Sequence, residues 1–177
     1  MKYFWLIFIV LSPGLWAADG IYLSTSLFPV YGSGNSEAKS SLLGTGISGV
    51  GGVRLKNIGF EMGAKRFTTT NKQLGDDKYE TEVKDAVFFG GGRFFLSDIF
   101  SLKASLSMHY IEMDIYQDSA HLKNDEEDGE YLGLYGGMGI MHPIGKNLDL
   151  YYESTLFPVP DIGFYFIDIE LGVRIYL

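Results

Sequence analysis

Residues 165–177, at the end of the chain, have the sequence Tyr-Phe-Ile-Asp-Ile-Glu-Leu-Gly-Val-Arg-Ile-Tyr-Leu. Every second residue, beginning with the tyrosine, is apolar or aromatic, whereas Asp168, Glu170 and Arg174 fall on the intervening positions. Because successive side chains of a strand point to opposite faces, this alternation predicts one long strand with an apolar face and a charged face. Its length exceeds the roughly 9–11 residues that a tilted strand needs to cross a bilayer.

The amino terminus predicts export. It carries one positive charge at Lys2, an unbroken apolar run over residues 3–11, a break at Pro13 and a small residue at Ala17. This is the layout of a secretory signal peptide. An uncleaved membrane anchor is the alternative, but the apolar run is far shorter than the roughly 20 residues of a spanning helix. We therefore predict a signal peptide over residues 1–17.

Cleavage after Ala17, or alternatively after Ala18, leaves a single predicted domain over residues 18–177. The chain has no cysteine, which excludes disulfides, a lipoprotein anchor and thiolate metal sites. Hydrophobic residues make up 46% of the chain and glycines number 23, yet no apolar run beyond the signal is long enough for a spanning helix. The apolar residues are therefore interleaved with polar ones, which is the sequence signature of a transmembrane barrel.

Eight segments show the period-two pattern, with turn residues between them. They lie at about residues 21–28, 45–55, 59–68, 86–95, 100–111, 131–141, 148–157 and 165–177. Short connections follow the second, fourth and sixth segments, at residues 56–58, 97–99 and 145–147. Long connections follow the first, third and fifth, at residues 32–44, 69–85 and 112–130. Short turns at one end and long loops at the other predict an all-β fold, an eight-stranded antiparallel up-and-down transmembrane β-barrel.

Periodicity alone does not tell which face of the barrel points outwards. The alternative is a soluble periplasmic ligand-binding barrel, whose apolar face would point inwards. The polar faces are rich in glycine, serine and charges of both signs, which suits a crowded lumen. The apolar faces of the fifth and eighth segments are continuous, and such faces would aggregate if they met water. Together with the export signal, these features predict a location in the cell outer membrane.

The polar faces carry charges of both signs in equal number. We predict that they form a structural ion-pair network inside the lumen, because a buried charge without a partner costs several kcal/mol. Its members are Arg54, Glu61, Lys65, Arg93, Lys103, Asp149, Glu153, Asp168, Glu170 and Arg174. Because eight strands leave an interior just wide enough for side chains, we expect no sizeable pore. A proton or ion path through these charges is the alternative.

Aromatic residues near the strand ends predict two girdles at the membrane interfaces. The girdle expected on the outer side contains Phe28, Tyr31, Phe67, Tyr110, Tyr131, Phe157 and Tyr165. The girdle expected on the periplasmic side contains Phe60, Phe94, Phe100 and Tyr176.

The chain resembles the OmpA/OmpX-type family of small outer-membrane barrels of Gram-negative cell envelopes. The resemblance rests on the eight-segment layout, on the glycine-rich segments at 51–55 and 90–95, and on the closing residues 171–177. The family's assembly signal usually ends in phenylalanine, whereas this chain ends in Leu177. The resemblance implies insertion by the barrel assembly machinery and a role in adhesion, host interaction or envelope integrity.

A lipid-directed enzyme is the second function that the resemblance raises, because some outer-membrane barrels resemble lipid A deacylases. Those enzymes carry a His-x-Ser pair, and none of His109, His121 and His142 is followed by serine two residues on. Ser107 and His109 stand in the reverse order, and the alternation points both into the lumen. A nucleophile needs a base and an orienting third group. We therefore expect a packing pair, and we predict no catalytic residue and no cofactor.

The long third connection is strongly acidic. Its eight acids are Glu112, Asp114, Asp118, Asp125, Glu126, Glu127, Asp128 and Glu130. Calcium or magnesium binding is one interpretation, but the spacing lacks the pattern of an EF-hand loop, so we favour a solvated loop and predict no metal site. The formal net charge of −8 disfavours nucleic acid as a partner.

The partners that we expect are outer-membrane lipid and lipopolysaccharide, the assembly machinery and an extracellular partner reached through the loops. We expect a monomer. The sequence thus predicts a small integral outer-membrane barrel with a filled lumen and a structural or surface-interaction role. The alternatives are a lipid hydrolase and a soluble ligand-binding barrel.

Overall fold

A computed structural model describes residues 20–34, 41–73, 79–117, 120–123, 129–160 and 163–177. The predicted signal peptide lies outside these residues. The strands, in chain order, are β1 (Gly20–Gly34), β2 (Ser41–Leu55), β3 (Ile58–Gln73), β4 (Tyr79–Phe95), β5 (Phe100–Gln117), β6 (Ala120–Lys123), β7 (Gly129–Pro143), β8 (Leu148–Val159) and β9 (Phe164–Tyr176). Within the described part of the chain, no helix has the length and apolar character needed to span a bilayer.

The long strands close into a barrel. They follow the order β4-β3-β2-β1-β9-β8-β7-β5, every neighbouring pair is antiparallel, and β4 also pairs with β5. The short strand β6 is an addition that the sequence did not predict, and it pairs only with Asp114–Gln117 at the far end of β5. The predicted eight-stranded antiparallel up-and-down barrel is therefore confirmed.

The apolar face of each strand points outwards. Along β9 the side chains alternate strictly between buried and exposed. Leu27 and Met62 on other strands are 68% and 72% exposed, values that a soluble protein would not give to so many neighbouring apolar residues. This continuous apolar belt identifies the outer surface as lipid-facing. The soluble ligand-binding barrel, which would bury this face, is therefore wrong.

Most strands are longer than the sequence predicts. The extra residues lie mainly at the strand ends that adjoin the long connections. β3, β4 and β5 have 16, 17 and 18 residues, whereas β8 and β9 have 12 and 13. The additional residues of β3 include Thr68, Thr69 and Thr70, which favour strands because they branch at Cβ. The polar ends of the strands thus continue the ladder beyond the apolar belt instead of forming loops.

The ladders of the wall are interrupted at two places among the described residues. Between β1 and β9 the pairing skips Phe28 and Pro29 and then resumes at Val30. Between β7 and β8 the pairing ends before the strands do, and we call this longer interruption the β7–β8 seam. The ladder between these strands runs from Pro143↔Asp149 to Gly136↔Leu156 and stops there. Both strands continue further, β7 back to Gly129 and β8 on to Val159. Pro158, in the unpaired part of β8, has no N–H with which to extend the ladder.

Candidate functional site

The interior of the barrel holds all ten of the charged residues that the sequence places there, and each is at least nine-tenths buried. Near the short turns, Arg93 donates from Nε to Glu61 Oε1 at 2.6 Å and from Nη2 to Glu153. Lys103 Nζ donates to Glu153 Oε1 at 2.7 Å. Arg174 Nη2 lies 3.3 Å from Glu61 Oε1. We call these five residues the lower cluster; it contains three cations and two carboxylates.

A second group, the upper cluster, lies closer to the long connections. Lys65 Nζ donates to Asp168 Oδ2 at 2.6 Å and to Thr155 Oγ1 at 3.1 Å, and it also contacts Glu170. Ser48 Oγ donates to Glu170 Oε2 at 2.9 Å. This cluster contains one cation and two carboxylates.

Tyr135 joins the two clusters. Its hydroxyl accepts from Lys103 Nζ at 3.1 Å and donates to Glu170 Oε1 at 3.4 Å. Because the lower cluster has one excess positive charge and the upper cluster one excess negative charge, the connected network is neutral. A neutral, hydrogen-bonded network is the form in which charges can be buried without uncompensated desolvation.

The two remaining charged positions are arranged differently from the rest. Arg54 pairs with Asp98 Oδ1 at 3.1 Å, and Asp98 is an acid of the short turn after β4. Its guanidinium also lies 4.0 Å from the centroid of the Phe95 ring. Asp149 is buried on β8, next to Arg174 of β9 in the register.

The upper end of the lumen is an apolar core, and this corrects the predicted girdles. Phe28, Phe67 and Phe157 are at most 2% exposed, and Phe67 packs against the other two inside the barrel. Tyr176 is also buried, at the lower end, where its ring lies 5.7 Å from that of Tyr22. Each of them falls on the lumen-facing positions of its strand, so the period-two pattern overrides the closeness to a strand end. Tyr31, Tyr110, Tyr165, Phe60 and Phe94 do face outwards.

Ser107 and His109 are brought together with a third residue. Ser107 Oγ lies 3.1 Å from His109 Nε2, and His109 Nδ1 lies 2.7 Å from Asp85 Oδ2. The sequence placed Asp85 in a long loop, but β4 extends through it and turns its side chain inwards. All three residues are buried, and the second oxygen of Asp85, Oδ1, has no hydrogen-bond partner among the described residues. This is the order of contacts of a nucleophile, a base and an orienting acid.

The predicted acidic third loop is partly strand. Glu112 and Asp114 belong to β5 and Glu130 to β7, while the other five acids lie outside the described residues. On the outer surface, above the apolar belt, Lys84 donates to Asp114 Oδ2 at 3.1 Å, and this hydrogen bond raises the pKa of the Lys84 ammonium. Among the described residues, no three histidine or acidic side chains converge as the ligands of a metal ion would.

The comparisons with known proteins agree with this architecture. The crystal structure of Neisserial surface protein A matches with a TM-score of 0.58 and 14% identity, covering 92% of this chain and 100% of that one. The crystal structure of Ail, the attachment invasion locus protein of Yersinia pestis, matches with a TM-score of 0.59 and 11% identity, covering 90% of this chain and 100% of that one. The chain has the fold of these small eight-stranded outer-membrane barrels.

The likeness lies in the fold and not in the sequence. No protein-family model matches the chain, and no curated protein matches it. The fold that the OmpA/OmpX resemblance implied is confirmed. At identities of 11–14%, the lumen clusters and the Ser107–His109–Asp85 contacts must be interpreted from this chain alone.

Proposed function

We propose that the protein is a structural and surface-interaction barrel of the outer membrane, whose extracellular ends meet partners outside the cell. The observation that carries this proposal is the projection of β3, β4 and β5 past the apolar belt, with β6 added to the edge of β5. Strands that continue beyond the membrane form a stiff platform, which holds the connections at a fixed distance from the lipid surface.

The filled interior supports a role that does not depend on transport. The lower and upper clusters are linked by Tyr135, and the apolar core above them closes the lumen at its extracellular end. Lys65 lies beneath this core, 4.6 Å from the centroid of the Tyr135 ring and 5.2 Å from that of Phe157. The interior thus stabilises the barrel and leaves the outer surface and the loops for interactions.

The charge of the connections indicates the kind of partner. The residues from 112 to 130 include eight acids and the single base Lys123, so we propose a partner with a cationic surface. Ail, which shares the fold, has been crystallised with the heparin analogue sucrose octasulfate. That ligand is an anion, and the acidic connection at residues 112–130 argues against the binding of such an anion by this chain.

The apolar belt indicates the lipid partners of the barrel. The outward side chains of the belt are mainly apolar, with Thr25 and Ser154 among the polar exceptions, so we propose that membrane lipid surrounds the barrel, with lipopolysaccharide as the lipid of its outer leaflet. We propose insertion by the barrel assembly machinery, as the resemblance implies, and a monomeric state. Chemical cross-linking of the protein in lipid vesicles would give a ladder of oligomers if the monomer is wrong.

Trypsin treatment of intact cells tests the platform and its orientation. Lys123 of β6 belongs to the proposed extracellular platform, whereas Lys56 and Lys146 lie in the short turns that would face the periplasm. We expect cleavage at Lys123 on intact cells and at Lys56 or Lys146 only after the outer membrane is opened. Cleavage at the short turns of intact cells, with Lys123 protected, would show that the barrel is inserted the other way.

The surface role itself is tested by exchanging the acids for amides. A variant in which Asp125, Glu126, Glu127 and Asp128 become Asn or Gln keeps the length of the chain and removes four negative charges. Intact cells carrying the wild type should bind a polylysine-coated surface more strongly than cells carrying this variant. Equal binding at matched amounts of surface protein would overturn the proposed cationic partner.

A further inference from the structure

We propose that Ser107, His109 and Asp85 form a serine-nucleophile site for the acyl esters of membrane lipids, and that the ester enters sideways through the β7–β8 seam. This site is separate from the surface role proposed above, and neither depends on the other. The inference rests on four observations: the contacts of the three side chains, the discontinuity of the wall, a groove outside it, and the depth of the serine.

The three side chains have the relations that covalent catalysis requires. His109 Nδ1 lies 2.7 Å from Asp85 Oδ2, and His109 Nε2 lies 3.1 Å from Ser107 Oγ. In the neutral tautomer that donates from Nδ1 to Asp85, the lone pair of Nε2 faces the Ser107 hydroxyl. This tautomer allows His109 to take the hydroxyl proton, and Asp85 to stabilise the imidazolium that forms. The three residues come from the adjacent strands β4 and β5, so the ladder of the barrel fixes their spacing.

The wall beside this site is the β7–β8 seam, where no ladder pair joins the two strands. Gly133 lies opposite Ser107 in the β5–β7 register. A Cβ atom at Gly133 would stand 3.0 Å from Ser107 Oγ, 3.2 Å from His109 Nε2 and 2.8 Å from the carbonyl oxygen of Pro158. The serine and the imidazole therefore lie directly behind the seam, with no side chain of Gly133 between them and β8.

A groove of about 890 Å³ crosses the seam on the lipid-facing surface. This volume is within the roughly 300–1,000 Å³ of small-molecule sites. Its walls include the last ladder pair, Gly136 and Leu156, together with Ala104, Leu106, Leu134 and Pro158. Because these walls are apolar and the groove opens within the belt, the occupant that fits it is a fatty acyl chain of a surrounding lipid.

The depth of Ser107 matches the position of an ester bond. Tyr110, three residues further along β5, faces outwards, and Tyr165 does so beside Pro158 on the neighbouring strand. Tyrosines at such positions mark the level of the lipid headgroups. The hydroxyl of Ser107 thus lies just beneath the headgroups, where the acyl esters of membrane lipids are found.

The closed barrel shields the site, since Ser107 is 3% exposed and His109 fully buried. Access therefore requires β7 and β8 to part beyond Gly136 and Leu156. In the described ladder this movement breaks no β7–β8 pair. Residues 129–135 remain held by the ladder with β5 for most of their length, and the end of β8 remains held by β9.

The reaction is an ester hydrolysis in two steps. Ser107 Oγ attacks the carbonyl carbon and its proton passes to His109 Nε2; the bond to the alcohol oxygen breaks, and His109 returns the proton to the departing lipid alcohol. Water then attacks the acyl-serine, giving one proton to His109, which returns it to Ser107 Oγ as the fatty acid leaves. No oxidant, reductant or metal is required.

The test is labelling of the folded barrel in detergent micelles with a long-chain alkyl fluorophosphonate, followed by peptide mass spectrometry. We expect an adduct on Ser107 in the wild type, none on Ser107→Ala, and labelling slower by at least about tenfold in His109→Ala and Asp85→Asn, as general-base catalysis implies. Ser24→Ala removes another buried lumen serine and should label like the wild type. Each variant is first checked for the heat-modifiable migration of a folded barrel.

Absence of an adduct in the folded wild type, or equal labelling in His109→Ala, would overturn the site. Hydrolysis of a long-chain p-nitrophenyl ester by the wild type, lost in Ser107→Ala, would extend the result from labelling to catalysis; its absence in a protein that labels would overturn the hydrolase assignment.

The seam has its own test, which the lack of cysteine in this chain makes possible. Leu134→Cys together with Pro158→Cys places two thiols at positions that the β7–β8 register would set opposite each other. We expect the oxidised, cross-linked barrel to lose labelling of Ser107 and to regain it on reduction. Undiminished labelling of the cross-linked form would overturn lateral entry.

Discussion

Glu61 shows how much a single lumen residue contributes to this barrel. It accepts from Arg93, it lies 3.6 Å from Lys103 Nζ and 3.3 Å from Arg174 Nη2, and the Tyr22 hydroxyl donates to it as well. Three buried cations therefore share the Glu61 carboxylate, and none of them is exposed to water. A change at Glu61 therefore alters the electrostatic environment of all three cations of the lower cluster.

Replacing Glu61 with alanine should destabilise the folded barrel by about 3–5 kcal/mol, because the three buried cations of the lower cluster are then left with the Glu153 carboxylate alone. Urea unfolding in lipid vesicles measures this loss. Lys84→Ala is the control, because Lys84 is the 36%-exposed partner of Asp114 on the outer surface, and partly exposed pairs contribute about 0–1 kcal/mol. Equal losses in the two variants would show that the lower cluster does not hold the barrel together.

Two glycines of β2 test the close packing of the wall. A Cβ at Gly44 would lie 1.8 Å from the backbone oxygen of Thr68, whereas a Cβ at Gly49 would meet nothing within 4 Å. Gly44→Ala should therefore lower stability by about 1–3 kcal/mol through overpacking, and Gly49→Ala should leave it nearly unchanged. The unfolding midpoints of the two variants decide this, and a neutral Gly44→Ala would contradict the register of β2 on β3.

At the scale of elements, the upper ends of the strands are held by an apolar core that is not part of the membrane belt. Phe67 packs at 5.1 Å from Phe166 and 5.9 Å from Phe157, measured between ring centroids. Tyr135 stacks between Phe89 and Phe157, at 4.7 Å and 5.5 Å. This core supports the projecting strands in the same way that a hydrophobic core supports a soluble sandwich.

Phe67→Ala should destabilise the barrel by about 3–5 kcal/mol, the usual loss for a buried phenylalanine. Phe60→Ala, on the same strand, removes a ring that is 59% exposed to the membrane and should have a much smaller effect. Because both variants lose the same side chain, the difference between their unfolding free energies measures burial alone. A larger loss of unfolding free energy in Phe60→Ala would contradict the burial of Phe67 and support its predicted place in the aromatic girdle.

The sequence predicts the elements well and their ends poorly. Alternation places Asp168, Glu170 and Arg174 inside because each strand crossing the belt has one apolar face and one polar face. Beyond the belt both faces contain polar residues, so the pattern no longer shows that Asp85 lies on a strand. For the same reason, the sequence does not predict the contact between Asp85 and His109. The ion pair between Arg54 and Asp98 could not be predicted for another reason. Asp98 lies in a turn, where the alternation of a strand does not show which way a side chain points.

At the scale of the whole molecule, three layers fill the space inside the barrel from the short turns upwards: the lower cluster, the upper cluster and the apolar core. The network of the first two is neutral, and Tyr135 belongs to both the network and the core. An interior of this kind stabilises the barrel against opening along its axis. The wall has fewest ladder pairs at the β7–β8 seam and at the interruption between β1 and β9.

The measurement that tests the filled interior most directly is the electrical conductance of the purified protein in a planar lipid bilayer. An eight-stranded barrel whose interior is occupied by side chains has no aqueous channel. We therefore expect no conductance at moderate voltages from protein whose folding has been verified by heat-modifiable migration. Stable, large conductance steps from the correctly folded wild type would contradict this expectation.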